Sequence, residues 1–270
     1  MSASLTFAPV RLPTGESAWM PADVELKFPD RASIEIGRLH CLAYLPWRDT
    51  YLARVDDAYR DFFITVLPYL HARTTNVHVA LCLPFVPELI RAVPETADER
   101  IVTIAFILHD SGWSQMTEAE IAASLGVPGL ALSGEAVNPK ARHAILGRDI
   151  ARRVLETYRF QPPLTDTQRD RIYTAILYHD RPGELARQRR LSTEVKLVCD
   201  VDHLWSFTHE NFWQDTVRKG IAPAAYVKNL EADLDGYFVT EPGRQKARRL
   251  LEARRAEVTL WEVSSAKTDL

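Results

Sequence analysis

Four histidines and three aspartates in the middle of the chain have the types and spacing to do chemistry. His78 stands early in one apolar segment, and His109 with Asp110 ends the next. His143 falls in the first turns of a third segment, and His179 ends a fourth. Asp200 and Asp202 lie in a fifth. Imidazole nitrogen and carboxylate oxygen together suit divalent iron, manganese or zinc. Four imidazoles, Asp110 and one of Asp200 and Asp202 make six such donors, more than the four that a tetrahedral zinc site needs. They suit two ions that share a carboxylate, and Asp110 is the natural bridge, since its neighbour His109 can bind one of the same ions. A divalent ion lowers the pKa of bound water from about 15.7 toward about 7, and a pair can hold both the attacking and the leaving oxygen of a phosphoester.

Taken singly, each position has a plainer reading. A histidine on an apolar helix is commonly a hydrogen-bonded core residue, as His78 could be. His143 alone could be a surface residue near a helix start. His179 alone could face a helix C-terminus, where a cation is favoured. The joint pattern is what points to metal.

The elements that must position these residues read as helices. YLARVDDAYRDFFITVLPYL has apolar residues at helical spacing. NVHVALCLPFVPELIRAV carries Pro84 and Pro87, which predict a bend. DERIVTIAFILHD opens with Asp98 as a cap, although its β-branched residues also permit a strand. TEAEIAASLG holds a capping box, Thr117 with Glu120, and a stop at Gly126. NPKARHAILGRDIARRVLETY has Asn138 as cap and Pro139 at the first helical position. TDTQRDRIYTAILYHD repeats the box with Thr165 and Gln168, and STEVKLVCDVDHLWSF starts at Ser192. Two further helices, near APAAYVKNLEADL and GRQKARRLLEARRAEV, close the chain. The expectation is an all-α protein of roughly eight to ten helices. Residues 1–48 form an irregular arm with one short element, 49–215 a metal-binding helical domain, and 216–270 a helical extension packed on it.

Composition narrows the function. The 270 residues are 46% apolar, enough for one large domain. A net charge of −3 gives no polyanion-binding surface, so no nucleic acid polymer is expected as a partner. Cys41, Cys82 and Cys199 are scattered and apolar in context, and read as buried free thiols of a reducing compartment. No leader and no apolar run of membrane length is seen. A cytoplasmic protein without a membrane partner is expected.

These motifs resemble the HD-domain superfamily of metal-dependent phosphohydrolases. The resemblance rests on His78, ILHD with His109 and Asp110, RHAILGRDIARRVL with His143, AILYHD with His179, and STEVKLVCDVDHLW. It covers about residues 74 to 210. It implies a multi-helix HD-type bundle with His78, His109, Asp110, His143, His179 and Asp202 as metal ligands. Asp202 is preferred because it precedes His203-Leu204 as the family's aspartate precedes a basic-leucine pair; Asp200 is the second choice. Asp110 carries the catalytic role. One or two divalent ions are implied, with iron or manganese favoured over zinc. Ser111-Gly112-Trp113 stands where the family often has HDxGK, and Trp113 is expected to close off space near the site. An acidic pair after Asp110 and a GYP triplet are missing, which argues against alarmone and cyclic-dinucleotide hydrolysis.

The implied activity is hydrolysis of a small phosphate ester, a nucleotide or a phosphorylated metabolite. Arg181, Arg187, Arg189, Arg190, Lys140 and Arg142 are candidates to face the metal cleft, against the reading of a solvated basic loop. His203 is placed to act as a general acid, and Asp180 to orient a metal-bound histidine. The first rival is a di-iron oxygenase of the HD type, whose four histidines and two aspartates are the same set. The second is a non-catalytic metal-binding module. Leu250, Leu251, Val258, Leu260 and Trp261 make an apolar stripe that packing on the parent domain and a homodimer explain equally well.

Overall fold

A computed structural model describes residues 5–12, 15–28, 42–125, 138–188 and 190–265. Among these, the chain is all-α apart from one antiparallel hairpin, β1 Phe7–Arg11 with β2 Ser17–Pro21. The hairpin lies within residues 1–48, where an irregular arm with one short element is expected. Alternation is weak over its five-residue strands, so little in their residues marks them as strands. Cys41 and Gly126 lie outside the described residues; Cys82 and Cys199 are buried free thiols.

Thirteen α-helices follow among the described residues, more than the eight to ten expected, because long segments are broken and short helices stand in stretches that read as loop. The first segment divides into α1 Asp49–Leu52 and α2 Asp57–Val66, where Asp56 accepts from the Ala58 N–H and restarts the helix. The expected bend separates α3 Thr75–Cys82 from α4 Phe85–Ala92, with Pro84 between them. Pro87 sits at the third position of α4, where its missing N–H would have had no intrahelical partner.

Helix α5, Glu99–Leu108, is the centre of the molecule. Every residue from Ile101 to Leu108 is buried, so no polar face shows in the sequence, which explains the strand-like pattern. Asp98 settles it as a helix by accepting from the Arg100 N–H. Each large apolar side chain buried here stabilises the fold by roughly 1.5–3 kcal/mol.

Both capping boxes form, at Thr117 on α6 Glu118–Ser124 and at Thr165 on α8 Asp166–Tyr178. Asn138 caps α7, Pro139–Thr157. Ser192 stands before α10, Thr193–Leu204, without a cap bond from its side chain. RPGELARQRR, read as a loop, contains α9 Pro182–Arg187. A further helix not expected from the sequence is α11, His209–Lys219, capped by Thr208 and stopped by Gly220 at φ 61. Helices α12 Pro223–Tyr237 and α13 Glu241–Ser265 complete the chain.

Helices α2, α4, α7, α8 and α10 pack around α5, and α13 packs on α10 and α12. Leu251 and Val258 of α13 are buried in this way, whereas Leu260 is exposed. The hairpin rests on α11 and α13, with Phe7 against Trp213 and the Trp261 indole N–H donating to the Trp19 carbonyl. No helix among the described residues is long and apolar enough to cross a membrane.

Candidate metal centre

His109 and His179 occupy the same position on different helices. Each is the residue that ends its helix, α5 or α8, in helical conformation. Each points Nδ1 at the carbonyl three residues back, Phe106 or Ile176, at 2.6 Å. A carbonyl only accepts, so Nδ1 carries a proton, and the Nε2 lone pair is turned inward. The helix ends are thus built to hold an imidazole rigidly with one nitrogen free.

Asp110 follows His109 and leaves the helix at φ −97, ψ 5. Its carboxylate divides two groups of donors. Oδ2 lies 3.5 Å from His78 Nδ1 and 3.5 Å from His109 Nε2. Oδ1 lies 3.3 Å from His143 Nε2 and 3.5 Å from His179 Nε2. Asp202 completes the first group, with Oδ1 at 3.3 Å from His109 Nε2 and 3.5 Å from His78 Nε2. The six residues named from sequence therefore come together as two sets joined at Asp110.

The arrangement fits divalent cations. Donors about 2.0–2.1 Å from one ion stand roughly 3.0–3.4 Å from each other, which matches these separations. His78 Nε2 and His109 Nε2 are buried with no hydrogen-bond partner. A neutral His109 would set its Nε2 lone pair against Asp202 oxygen at 3.3 Å, a contact that a cation between them relieves. His143 Nε2 and His179 Nε2 are 2.9 Å apart and need either a proton or a cation between them.

Charge in the cluster follows the same logic. Burial opposes ionisation of Asp110, but His109, His143, His179 and His78 hold its carboxyl well below the usual range. Burial likewise opposes Asp202, and His109 and its neighbours pull it below the usual range. Burial lowers His78 and His143. It also opposes His179, yet the Asp110 bond and the carboxylates of Asp202, Asp110 and Asp180 outweigh it and raise this group to about 9. Two ionised carboxylates thus favour a positive charge at His179, whether a proton or a cation.

Asp200 takes no part in the cluster. It accepts from the Val239 and Thr240 N–H groups and from the Thr240 hydroxyl, and so ties the α12–α13 connection to α10. Burial raises it to about 6 against these bonds.

Two glycines set the approach of α7, which carries His143. The turn Ser111–Gln115 lies against α7, and a Cβ on Gly112 would stand 1.9 Å from the His143 carbonyl oxygen. A Cβ on Gly147 would stand 3.0 Å from the His109 carbonyl oxygen. Trp113 does not narrow the metal cavity as expected. It is buried behind the His/Asp cluster, stacked on His143 at 4.1 Å between centroids, and its indole N–H donates to Asp110 Oδ1 at 2.9 Å.

The cluster opens on a cavity of about 310 Å³, within the range of small-molecule sites. Of the cations proposed to face it, Lys140 does so, bonded to Asp180 at 3.1 Å. Arg142 instead pairs with Glu120, and Arg181 with Glu184. Arg187 and Arg190 do not line the cavity, and Arg189 lies outside the described residues. Asp180 does not orient His179, whose Nδ1 the Ile176 carbonyl holds; it faces His203 Nε2 at 3.8 Å. His203 does line the cavity, held by an Nδ1–H bond to the Cys199 carbonyl at 2.8 Å.

Three cations on the cavity wall went unread in the sequence: Arg73, Arg218 and Lys219. Arg218 and Lys219 belong to α11, whose signals were Thr208 before it and Gly220 after it.

A family model described as HD domain matches residues 78–205, a span that begins at His78 and contains the other five clustered residues. No curated protein and no solved structure is matched by the chain.

Proposed function

From the premise that residues 78–205 are an HD domain, we propose that this chain is a metal-dependent hydrolase of a small phosphate ester. The observation that carries the reading is the division of Asp110, whose two oxygens face two separate imidazole sets. His78, His109, Asp110 and Asp202 would hold one divalent ion, and Asp110, His143 and His179 the second. Iron or manganese suits this imidazole-rich set, as does zinc. Such a pair supplies an acidified water and neutralises charge on the phosphoryl oxygens.

The residues of the chain supply the rest. Asp110 fixes the spacing of the two sets. His203 presents Nε2 to the cavity and is placed to deliver a proton to the leaving oxygen. A cavity of about 310 Å³ suits a nucleotide-sized or smaller metabolite. Residues 49–215 serve as the metal-binding unit and 216–270 as an extension, with α11 reaching the cavity.

The oxygenase reading keeps one specific support: four histidines and two aspartates in one cluster, the set of the HD-type di-iron oxygenases. One experiment separates the two. The metal-reconstituted chain is assayed against a panel of phosphomonoesters, with and without oxygen. Phosphate release independent of oxygen supports the hydrolase. Oxygen consumption with two bound irons, and no phosphoester turnover, overturns it.

A further inference from the structure

The cations around the metal cavity can be accounted for one by one. Lys140 donates to Asp180 at 3.1 Å. Arg218 bonds Asp215 and also donates to Asn211 Oδ1 at 3.2 Å. Lys219 donates to Asp215 Oδ2 at 2.7 Å. Among the described residues lining the cavity, Arg73 is the one lysine or arginine with no hydrogen bond or ion pair. Its guanidinium lies over the Trp113 ring, with Cζ 4.2 Å from the centroid. Stacking occupies the face of a guanidinium and leaves its N–H edge free to donate. Trp113 is the same ring that stacks on His143 and bonds Asp110, so the free edge is fixed relative to the metal ligands.

The backbone at this point is strained. Arg73 has φ 53 and Thr74 φ 64, two consecutive left-handed residues, neither a glycine and one β-branched. Such strain persists only where the surroundings hold it, and it collects at functional sites. Here the hold is visible. Thr74 Oγ1 accepts from the Leu45 N–H at 3.3 Å and donates to Gln214 Oε1 at 3.4 Å. Leu45 N–H shares that Gln214 oxygen at 3.1 Å, and all three residues are buried. The fold spends conformational strain to keep an unpaired cation at the edge of a metal cluster.

We propose that Arg73 binds the phosphoryl group of the substrate, through the free N–H edge of its stacked guanidinium. The inference rests on the hydrolase reading of this cavity and names the chemical group that the cavity recognises. A guanidinium fork matches two phosphoryl oxygens at once, and such charge-assisted bonds are about twice as strong as neutral ones. Arg73 is a binding residue, and the metal ligands are complete without it.

The test is calorimetric titration of the metal-loaded full chain with inorganic phosphate, with metal content measured on the same samples. Wild type, Arg73→Ala, Arg73→Lys and Arg73→Gly are compared. The phosphate Kd is expected to rise at least tenfold in the alanine and glycine variants and to recover only partly in the lysine variant. Metal content stays at the wild-type value in all four. Arg73→Gly is expected to melt at or above the wild-type Tm, because glycine takes φ 53 without penalty. Unchanged phosphate affinity in Arg73→Ala with metal in place overturns the assignment. So does an Arg73→Gly protein that melts far below wild type yet binds phosphate normally. A wild-type chain that takes up no metal overturns the hydrolase reading instead; the titration of that metal-free protein still decides whether Arg73 holds phosphate.

Discussion

Trp113 donates its indole N–H to Asp110 Oδ1 at 2.9 Å, the same oxygen that stands 3.3 Å from His143 Nε2. One indole therefore fixes the carboxylate that lies between the two donor sets and, through its stacked face, one of the imidazoles beside it. Removing the N–H while keeping the ring isolates the first effect. Trp113→Phe is expected to weaken the ion held by His143 and His179 by about 10- to 100-fold, the usual cost of losing an outer partner of a ligand. The ion held by His78, His109 and Asp202 should be far less affected. Competition titration with a chromophoric chelator resolves the two.

The backbone of α7 approaches the Ser111–Gln115 turn so closely that only a glycine fits. Gly112→Ala forces its Cβ toward the His143 carbonyl and must push α7 away. Overpacking of this kind costs about 1–3 kcal/mol, occasionally more. A lowered Tm, together with reduced metal content, is the expected outcome; normal values of both would show that α7 has room to move.

The pH dependence of the metal-free protein carries a sign. His179 is raised from 6.5 to about 9. Its stabilising contribution is whole below pH 6.5 and is lost as pH rises through about 9. His78 and His143 are lowered from 6.5 by burial, so they subtract stability as pH falls below that value. A metal ion takes the place of the His179 proton, so loading releases a proton and strengthens up to about pH 9. Melting curves at pH 5.5, 6.5 and 9.5 check this. The metal-free chain should lose Tm between the last two, and the loaded chain should not.

Asp200 and Asp202 separate structure from metal binding. Asp202→Asn is expected to deplete the ion at His78 and His109. Asp200→Asn leaves metal content intact but breaks the tie to Val239 and Thr240, at a cost of about 1–3 kcal/mol. Paired measurements of metal content and Tm on the two variants read out both effects.

The contrast between these aspartates also shows what the sequence could and could not reveal. Two residues apart on a helix is a turn of about 200°, so Asp200 and Asp202 must face opposite ways. Which one faces the cluster was legible only through the resemblance to the HD pattern. His109, Asp110 and His179 were legible because they follow the short apolar runs FIL and AILY, where a titratable residue is conspicuous. Helix α11 was not, because its apolar face, Phe212, Trp213 and Val217, is short and is flanked by Asn211, Gln214, Asp215 and Arg218, polar residues that are buried as well. Arg73 was hidden for a different reason. Nothing in HARTTNVH announces two left-handed residues, and the guanidinium that lines the cavity stands on the first of them. The basic run after His179 drew attention for its charge density, yet Arg181 spends its charge on Glu184.

The most direct test of the central claim is the number of metal ions bound per chain when Asp110 is removed. Two ions per wild-type chain are predicted, one in His143→Ala, and none in Asp110→Ala, whose fold is verified by circular dichroism. An Asp110→Ala protein that still binds two ions would contradict the shared carboxylate on which the proposed activity rests.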